Sequence, residues 1–283
     1  MFVGSFLWLR RVAYPVLLLA TVATPVTALG LGFNRALTTT AFQYAVIGHL
    51  VLLERLIPYD PSWNPSRREW GWYGVYFMLT ALGSVTAQLL VDAVVSVLSP
   101  AVPALPLAVE IPCALLVGSL ASYAVHRLGH TNRWLWRLHG VHHVPEKVNV
   151  ANNGVNHVLD VLLAQAGVQL TLSLLGFSQN AVFAVGIFVI TQGYFIHANI
   201  DVRLGRLNRW LAGPEQHRLH HSTDLSEAGH YGSDLAVWDR IFGSFTWYPD
   251  RVPRAVGLSD PTSFPRTEAV LTSHTQALRG RAG

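Results

Sequence analysis

Apolar residues along this chain fall in long unbroken runs separated by short polar stretches. This is neither the striped pattern of a surface helix nor the alternation of a half-buried strand. Residues 12–33 form the first run, behind Arg10 and Arg11. Residues 40–57 form the second, closed by Pro58, and residues 73–98 the third. Residues 107–125 form a fourth that leads straight into His126. Two more, 158–176 and 180–197, are joined by Gly176-Phe177-Ser178-Gln179. A helix needs about 20 apolar residues to cross a bilayer. The first four runs are therefore read as membrane helices, and the last two either span or form a shallower hairpin. No small-residue cleavage site follows the first run, which argues for a membrane helix rather than a signal peptide.

The segments between the runs fit this picture. Residues 58–72 carry three Pro and three Trp among charges, as expected of a loop on the membrane interface. Residues 99–106 hold three Pro and no charge and predict a tight turn. A polar, histidine-rich stretch covers 126–156, and the chain is polar from 200 onward. Residues from about 267 lack a periodic apolar pattern and predict a loose tail. The fold class is thus all-α: a polytopic membrane protein of four to six apolar helices with a cytoplasmic helical cap. Three regions follow: membrane helices and an interfacial loop over 1–114, a catalytic region over 115–250, and a C-terminal tail over 251–283.

Composition supports the membrane reading. The 283 residues are 51% hydrophobic and 13% charged, against about 25% charged in ordinary soluble domains. The lone cysteine, Cys113, rules out an internal disulfide, a cysteine-based zinc site and a four-cysteine iron–sulfur cluster. Nineteen of the twenty basic residues are Arg and the other is Lys147. They are spread through the polar segments, so no nucleic-acid patch is formed. Their distribution orients the chain. With the N-terminus in the cytoplasm, Arg35 alone lies outside, and the positive-inside rule prefers this arrangement to its inverse. The Arg bias and abundant Ala suggest a GC-rich bacterial genome, hence an inner membrane.

Orientation brings the unusual residue, histidine, to one face. Of thirteen histidines, ten lie in five segments that all meet the cytoplasmic end of the bundle. His126 and His130 are spaced i, i+4 in HRLGH. His139, His142 and His143 form HGVHH, and His217, His220 and His221 repeat that spacing in HRLHH. On a helix, i, i+3 and i+4 share a face, so each motif presents its imidazoles together. His157 begins one helix of the apolar hairpin and His197 ends the other. Ten imidazoles exceed the four ligands of one structural zinc and point to two metals. Imidazole alone leaves zinc, copper, nickel and iron open. The few nearby carboxylates are Asp160, Asp201, Glu215 and Asp224. Asp160, three residues after His157, suits a hydrogen bond to that ring or an ordinary helix N-terminal charge. His49, mid-span, predicts a helix–helix hydrogen bond, and His274 a solvated tail residue.

The order HRLGH, HGVHH, His157, FIHANI (195–200), HRLHH and GHYGSDLAVWDRIFGSF (229–245) resembles the sterol desaturase and fatty acid hydroxylase superfamily over about residues 115–250. The resemblance implies an integral membrane non-haem di-iron enzyme that hydroxylates or desaturates a lipid with O2 and two electrons. It implies iron ligands at His126, His130, His139, His142, His143, His157, His197, His217, His220 and His221. The substrate would be a sterol, fatty acyl chain, glycerolipid or carotenoid. A separate electron donor of cytochrome b5, ferredoxin or flavin-reductase type is implied, since the chain has no dinucleotide-binding or haem motif of its own. Three positions depart from the family pattern: His230 stands where Asn is usual before Tyr-Gly, Ser244 where Thr is common, and Asn156 where many members are basic. His230 is either a donor behind the ligands or a local turn residue. Two other readings compete. A zinc metallohydrolase would want a carboxylate base beside a ligand, as in HExxH, and no such motif is present. A non-catalytic metal- or lipid-binding membrane protein would have no use for the complete histidine set.

Overall fold

The computed structural model describes residue 6, residues 8–98 and residues 105–279. Ten α-helices and four short 3-10 turns make up the regular structure of these residues, with no strands and three isolated β-bridges. Five helices are long and apolar enough to cross a membrane: α1 (Leu9–Gly30), α2 (Arg35–Leu56), α3 (Arg67–Leu98), α4 (Leu107–Thr131) and α7 (Gln179–His197). The helix α6 (Val158–Leu174) is apolar but shorter. The remaining helices are short: α5 (Arg133–His139), α8 (Pro214–His220), α9 (Val237–Phe242) and α10 (Val270–Arg279).

The helices begin earlier or end later than the apolar runs because polar residues complete them. Asn34 caps α2 by accepting from the Leu37 amide. Ser66 and Glu69 bond each other's backbone amides, a capping box that starts α3 inside the Trp-rich loop rather than after it. The helix α4 runs past its last apolar residue, so His126 and His130 sit on its final two turns. Asn132 ends α4 and at once caps α5, accepting from the amides of Trp134 and Leu135. Most of the predicted turn at 99–106 falls on residues 99–104, outside the described residues.

The most buried of the five membrane-length helices is α7, packed against α1, α2 and α4. Its neighbours expose large apolar side chains such as Leu19, Leu82 and Val97, which is the surface a bilayer would cover. The helices α3 and α6 approach closely at Gly83, where a side chain would meet the Val158 carbonyl at 2.8 Å. Glu110 on α4 accepts from the amide and hydroxyl of Ser178, tying down the start of α7.

At the other end of α7 the chain gathers its polar segments. Glu54, in the last turn of α2, accepts from the amides of Val150 and Asn199, both at 2.8 Å. One carboxylate thus pins the loops before α6 and after α7. The C-terminal segment corrects the sequence expectation of a loose tail. Gly257 donates to the His221 carbonyl at 2.9 Å, Phe264 packs over Gly140, and α10 lies against α3 and α5. Its inward face is Val270, Ser273, which is 2% exposed, and His274, one large apolar residue rather than a row of them. That is why a search for apolar periodicity passes over it.

Candidate metal centre

Five elements deliver imidazoles to one end of the bundle. His126 and His130 come from α4, His139 from the end of α5, and His142 and His143 from the 3-10 turn Gly140–His143. His197 ends α7, His217 and His220 lie on α8, and His221 caps it. Nine imidazoles form two groups: His126, His130, His139, His143 and His220, and then His142, His197, His217 and His221. Within each group the ligand atoms all lie within 4.8 Å of one another. Metal–imidazole bonds of about 2.1 Å place donors on one ion up to ~4.2 Å apart, so each group needs only a slight contraction.

The two HxxHH motifs divide in opposite senses. In HGVHH the outer pair, His139 and His143, joins the first group and the middle residue, His142, joins the second. In HRLHH the outer pair, His217 and His221, joins the second and His220 crosses to the first. Each motif therefore serves both centres. The stacked rings of His143 and His221, with centroids 4.3 Å apart, mark the seam between them.

Hydrogen bonds on the outer nitrogens fix how the rings face. His126 Nδ1 donates to the Tyr231 carbonyl at 2.6 Å, His142 Nδ1 to the Val155 carbonyl at 3.1 Å and His220 Nδ1 to the Gly229 carbonyl at 3.3 Å. His139 Nδ1 meets Asp160 at 3.0 Å. With Nδ1 protonated, each Nε2 presents a lone pair inward. All five Nε2 atoms of the first group are buried without a hydrogen-bond partner. In the second group, Nε2 of His142 faces that of His197 at 3.0 Å, and Nε2 of His217 faces that of His221 at 3.1 Å. The five unpaired acceptors of the first group are costly to bury, and a cation between them satisfies all at once; in the second group each close nitrogen pair can share either a proton or a cation. The donor set fits a metal in each group.

Electrostatics keep the ligands ready. Burial pulls the His142 imidazole from its usual 6.5 to about 4, with the neighbouring His139 adding to the effect. Burial and then nearby imidazoles hold His143, His217, His220 and His221 well below the usual range. These rings are therefore neutral near pH 7, the state a metal requires. The second group is wholly buried, whereas His126 and His130 of the first are part-exposed beside Trp136 and Tyr231.

Three histidines sit elsewhere than the sequence suggested. His157 lies outside both groups. Its Nδ1 accepts from the Leu159 amide as the cap of α6, its Nε2 meets the His274 carbonyl at 3.1 Å, and its ring stacks on His274. Both nitrogens are thus spent on backbone. His274 is accordingly no solvated tail residue; its Nε2 accepts from the Val158 amide at 3.3 Å. The Nε2 of His49 is buried with no hydrogen-bond partner, so the predicted helix–helix bond is not made. Asp160 meets a ring of the first group, that of His139, rather than the His157 ring.

His230 explains one departure from the family pattern. It has φ +70°, a left-handed conformation that Asn and His adopt more readily than most residues. It lies outside both groups, 3.7 Å from Asp239. Sequence reasoning gave no role to Asp239, which is fully buried and accepts from the amides of Tyr231 and Gly232 and the hydroxyl of Ser244, each at 2.7 Å. It locks the turn whose carbonyls orient His126 and His220. The available signal was a carboxylate inside a motif from a segment poor in acids.

Apolar membrane helices that carry two adjacent all-imidazole groups at one end define a histidine-box membrane metalloprotein. Comparison with known proteins narrows the class. Residues 111–244 match the family model described as fatty acid hydroxylase, and the chain belongs to the sterol desaturase and fatty acid hydroxylase superfamily. It is 31% identical over 214 residues to the ornithine lipid hydroxylase OlsE of Rhizobium tropici, covering 71% of this chain and 65% of that protein. It is 33% identical over 156 residues to the alkylglycerol monooxygenase of Danio rerio, covering 52% of this chain and 32% of the relative. The Homo sapiens alkylglycerol monooxygenase is 30% identical over 147 residues, 49% of this chain and 31% of that protein. The chain thus spans just under two thirds of the first relative and about a third of the others. No solved structure matches it.

Proposed function

We propose that the chain is a membrane-bound di-iron oxygenase that hydroxylates or desaturates a lipid C–H bond, using O2 and electrons from a separate donor. The carrying observation is the first imidazole group: five Nε2 lone pairs, buried and unpartnered, inside a segment that matches the fatty acid hydroxylase family. Bound iron would supply oxygen activation and hydrogen removal from an unactivated C–H bond. The chain's own part is to hold the ligands, keep the centre dry and present the substrate. His126, His130, His139, His143 and His220 would hold one iron, and His142, His197, His217 and His221 the other. Asp160 and the carbonyls of Tyr231, Val155 and Gly229 fix the protonated nitrogen of the rings they touch. The greater exposure of His126 and His130 favours the first group as the one substrate meets.

The names of the relatives, an ornithine lipid hydroxylase and alkylglycerol monooxygenases, support a lipid substrate for this chain too. The arginine asymmetry supports a cytoplasmic N-terminus and imidazole end, and the Rhizobium relative supports a bacterial inner membrane. The electron donor would be of cytochrome b5, ferredoxin or flavin-reductase type. A zinc hydrolase is less favoured, because neither imidazole group contains a carboxylate to act as general base. Elemental analysis of detergent-purified protein from iron-supplied cells tests the reading. Roughly two irons per chain support it; a single zinc with no iron contradicts it.

A further inference from the structure

Arg218 is the strangest side chain outside the imidazole groups. It follows His217 on α8 and is 5% exposed, yet no hydrogen bond or ion pair of its guanidinium exists among the described residues. Its only close partner is a ring: the guanidinium lies over Tyr59 with Cζ 3.9 Å from the centroid. Nη1 is fully buried and unpaired. A guanidinium stays charged at neutral pH.

The nearby carboxylates act on the guanidinium only through space and make their direct contacts elsewhere. Asp201 is paired with Arg10 at 2.6 Å. Glu215 accepts from the Leu204 amide at 2.9 Å and from the Asn208 side chain at 2.5 Å. Arg203, the other cation acting on Arg218, is paired with Asp250. A buried guanidinium that no neighbouring carboxylate contacts directly is an expensive arrangement for a fold to keep. With one face on the Tyr59 ring, its N–H edges remain free in the plane, the geometry that grips phosphate or carboxylate.

We infer that Arg218, seated on Tyr59, binds the anionic headgroup of a lipid, a phosphate or carboxylate, beside the four-histidine group. That this lipid is the substrate rests on the proposed hydroxylase reading; the binding itself does not. A headgroup anchored there lies at the same end of the bundle as the imidazoles and registers the molecule against them.

The test is binding and thermal unfolding of the full chain in neutral detergent, with no electron donor. The probes are dihexanoyl phosphatidate, the uncharged dihexanoylglycerol and inorganic phosphate. Wild type is expected to bind the phosphatidate roughly tenfold or more tighter than dihexanoylglycerol, and tighter than free phosphate. Arg218→Met is expected to lose that preference, and Arg218→Lys to keep part of it. Because the charge waits unpaired, Arg218→Met without probe should unfold at or above the wild-type temperature, whereas a purely structural Arg would lower it. No anionic preference in wild type, or an undiminished one in Arg218→Met, overturns the site. Equal binding of free phosphate and phosphatidate overturns the lipid assignment. The probes are not turned over, so a failure here leaves the hydroxylase reading standing, and loss of activity alone leaves the anion site standing.

Discussion

Replacing Asp239 by Asn exchanges one oxygen for an NH2 group in the turn that supports the centre. The carboxylate accepts two amides and a hydroxyl with no exposure to solvent. An amide in its place keeps one acceptor. If its oxygen stays with Tyr231 and Ser244, its NH2 faces the Gly232 amide, donor against donor. Losing a charge-assisted bond and stranding a buried donor costs about 3 kcal/mol. The Tyr231 carbonyl carried by that turn holds His126 Nδ1 at 2.6 Å, so part of the loss reaches the metal. Removing a partner behind a metal ligand typically weakens binding about 10–100-fold, or ~1.4–2.8 kcal/mol, which lies within the sum available. The assay is metal retention against a graded chelator, beside the unfolding midpoint of the metal-free protein. Asp239→Asn should release metal at lower chelator and unfold at lower temperature. Wild-type values for both would refute the claim that this carboxylate shapes the site.

Other consequences are equally direct. His220→Ala should accumulate in membranes yet lose metal, whereas His157→Gln should keep its metal and lose only contacts with α10; metal content of both variants decides whether the set is nine or ten. Gly140→Ala places a Cβ against the Phe264 ring and should destabilise by about 1–3 kcal/mol, with Phe264→Ala relieving part of that in a double-mutant cycle of unfolding midpoints. Metal-free protein should be acid-sensitive. The folded pKa of His142 lies below its unfolded 6.5, so the stability it contributes is present above pH 6.5 and lost as pH falls toward about 4. That group alone is worth about 3 kcal/mol, and unfolding midpoints that do not fall between pH 7 and 4 would contradict it.

The sequence showed what depends on local spacing. Apolar runs revealed the membrane helices, and i, i+3, i+4 spacing revealed imidazoles that converge. It could not reveal how they divide. The split of HGVHH depends on α5 tightening into a 3-10 turn at Gly140, and the crossing of His220 on α8 ending beside it. The placement of His157 outside both groups was not legible, because a helix cap and a ligand look alike until α10 is in place, and α10 was missed because its inward face carries Ser273 and His274 beside a single Val270. The roles of Asp239 and Arg218 depend on partners, or on their absence, at long range, which no motif encodes.

The central claim is oxygen-dependent modification of a lipid at the paired imidazole centre. Its most direct test is mass spectrometry of lipids from cells grown under 18O2 and expressing either wild type or His220→Ala. For hydroxylation, the account predicts a lipid carrying one 18O with wild type and none with the variant; for desaturation, a lipid lighter by two hydrogens with the same dependence. No changed lipid with metal-loaded wild type, or the same product in both strains, would contradict it.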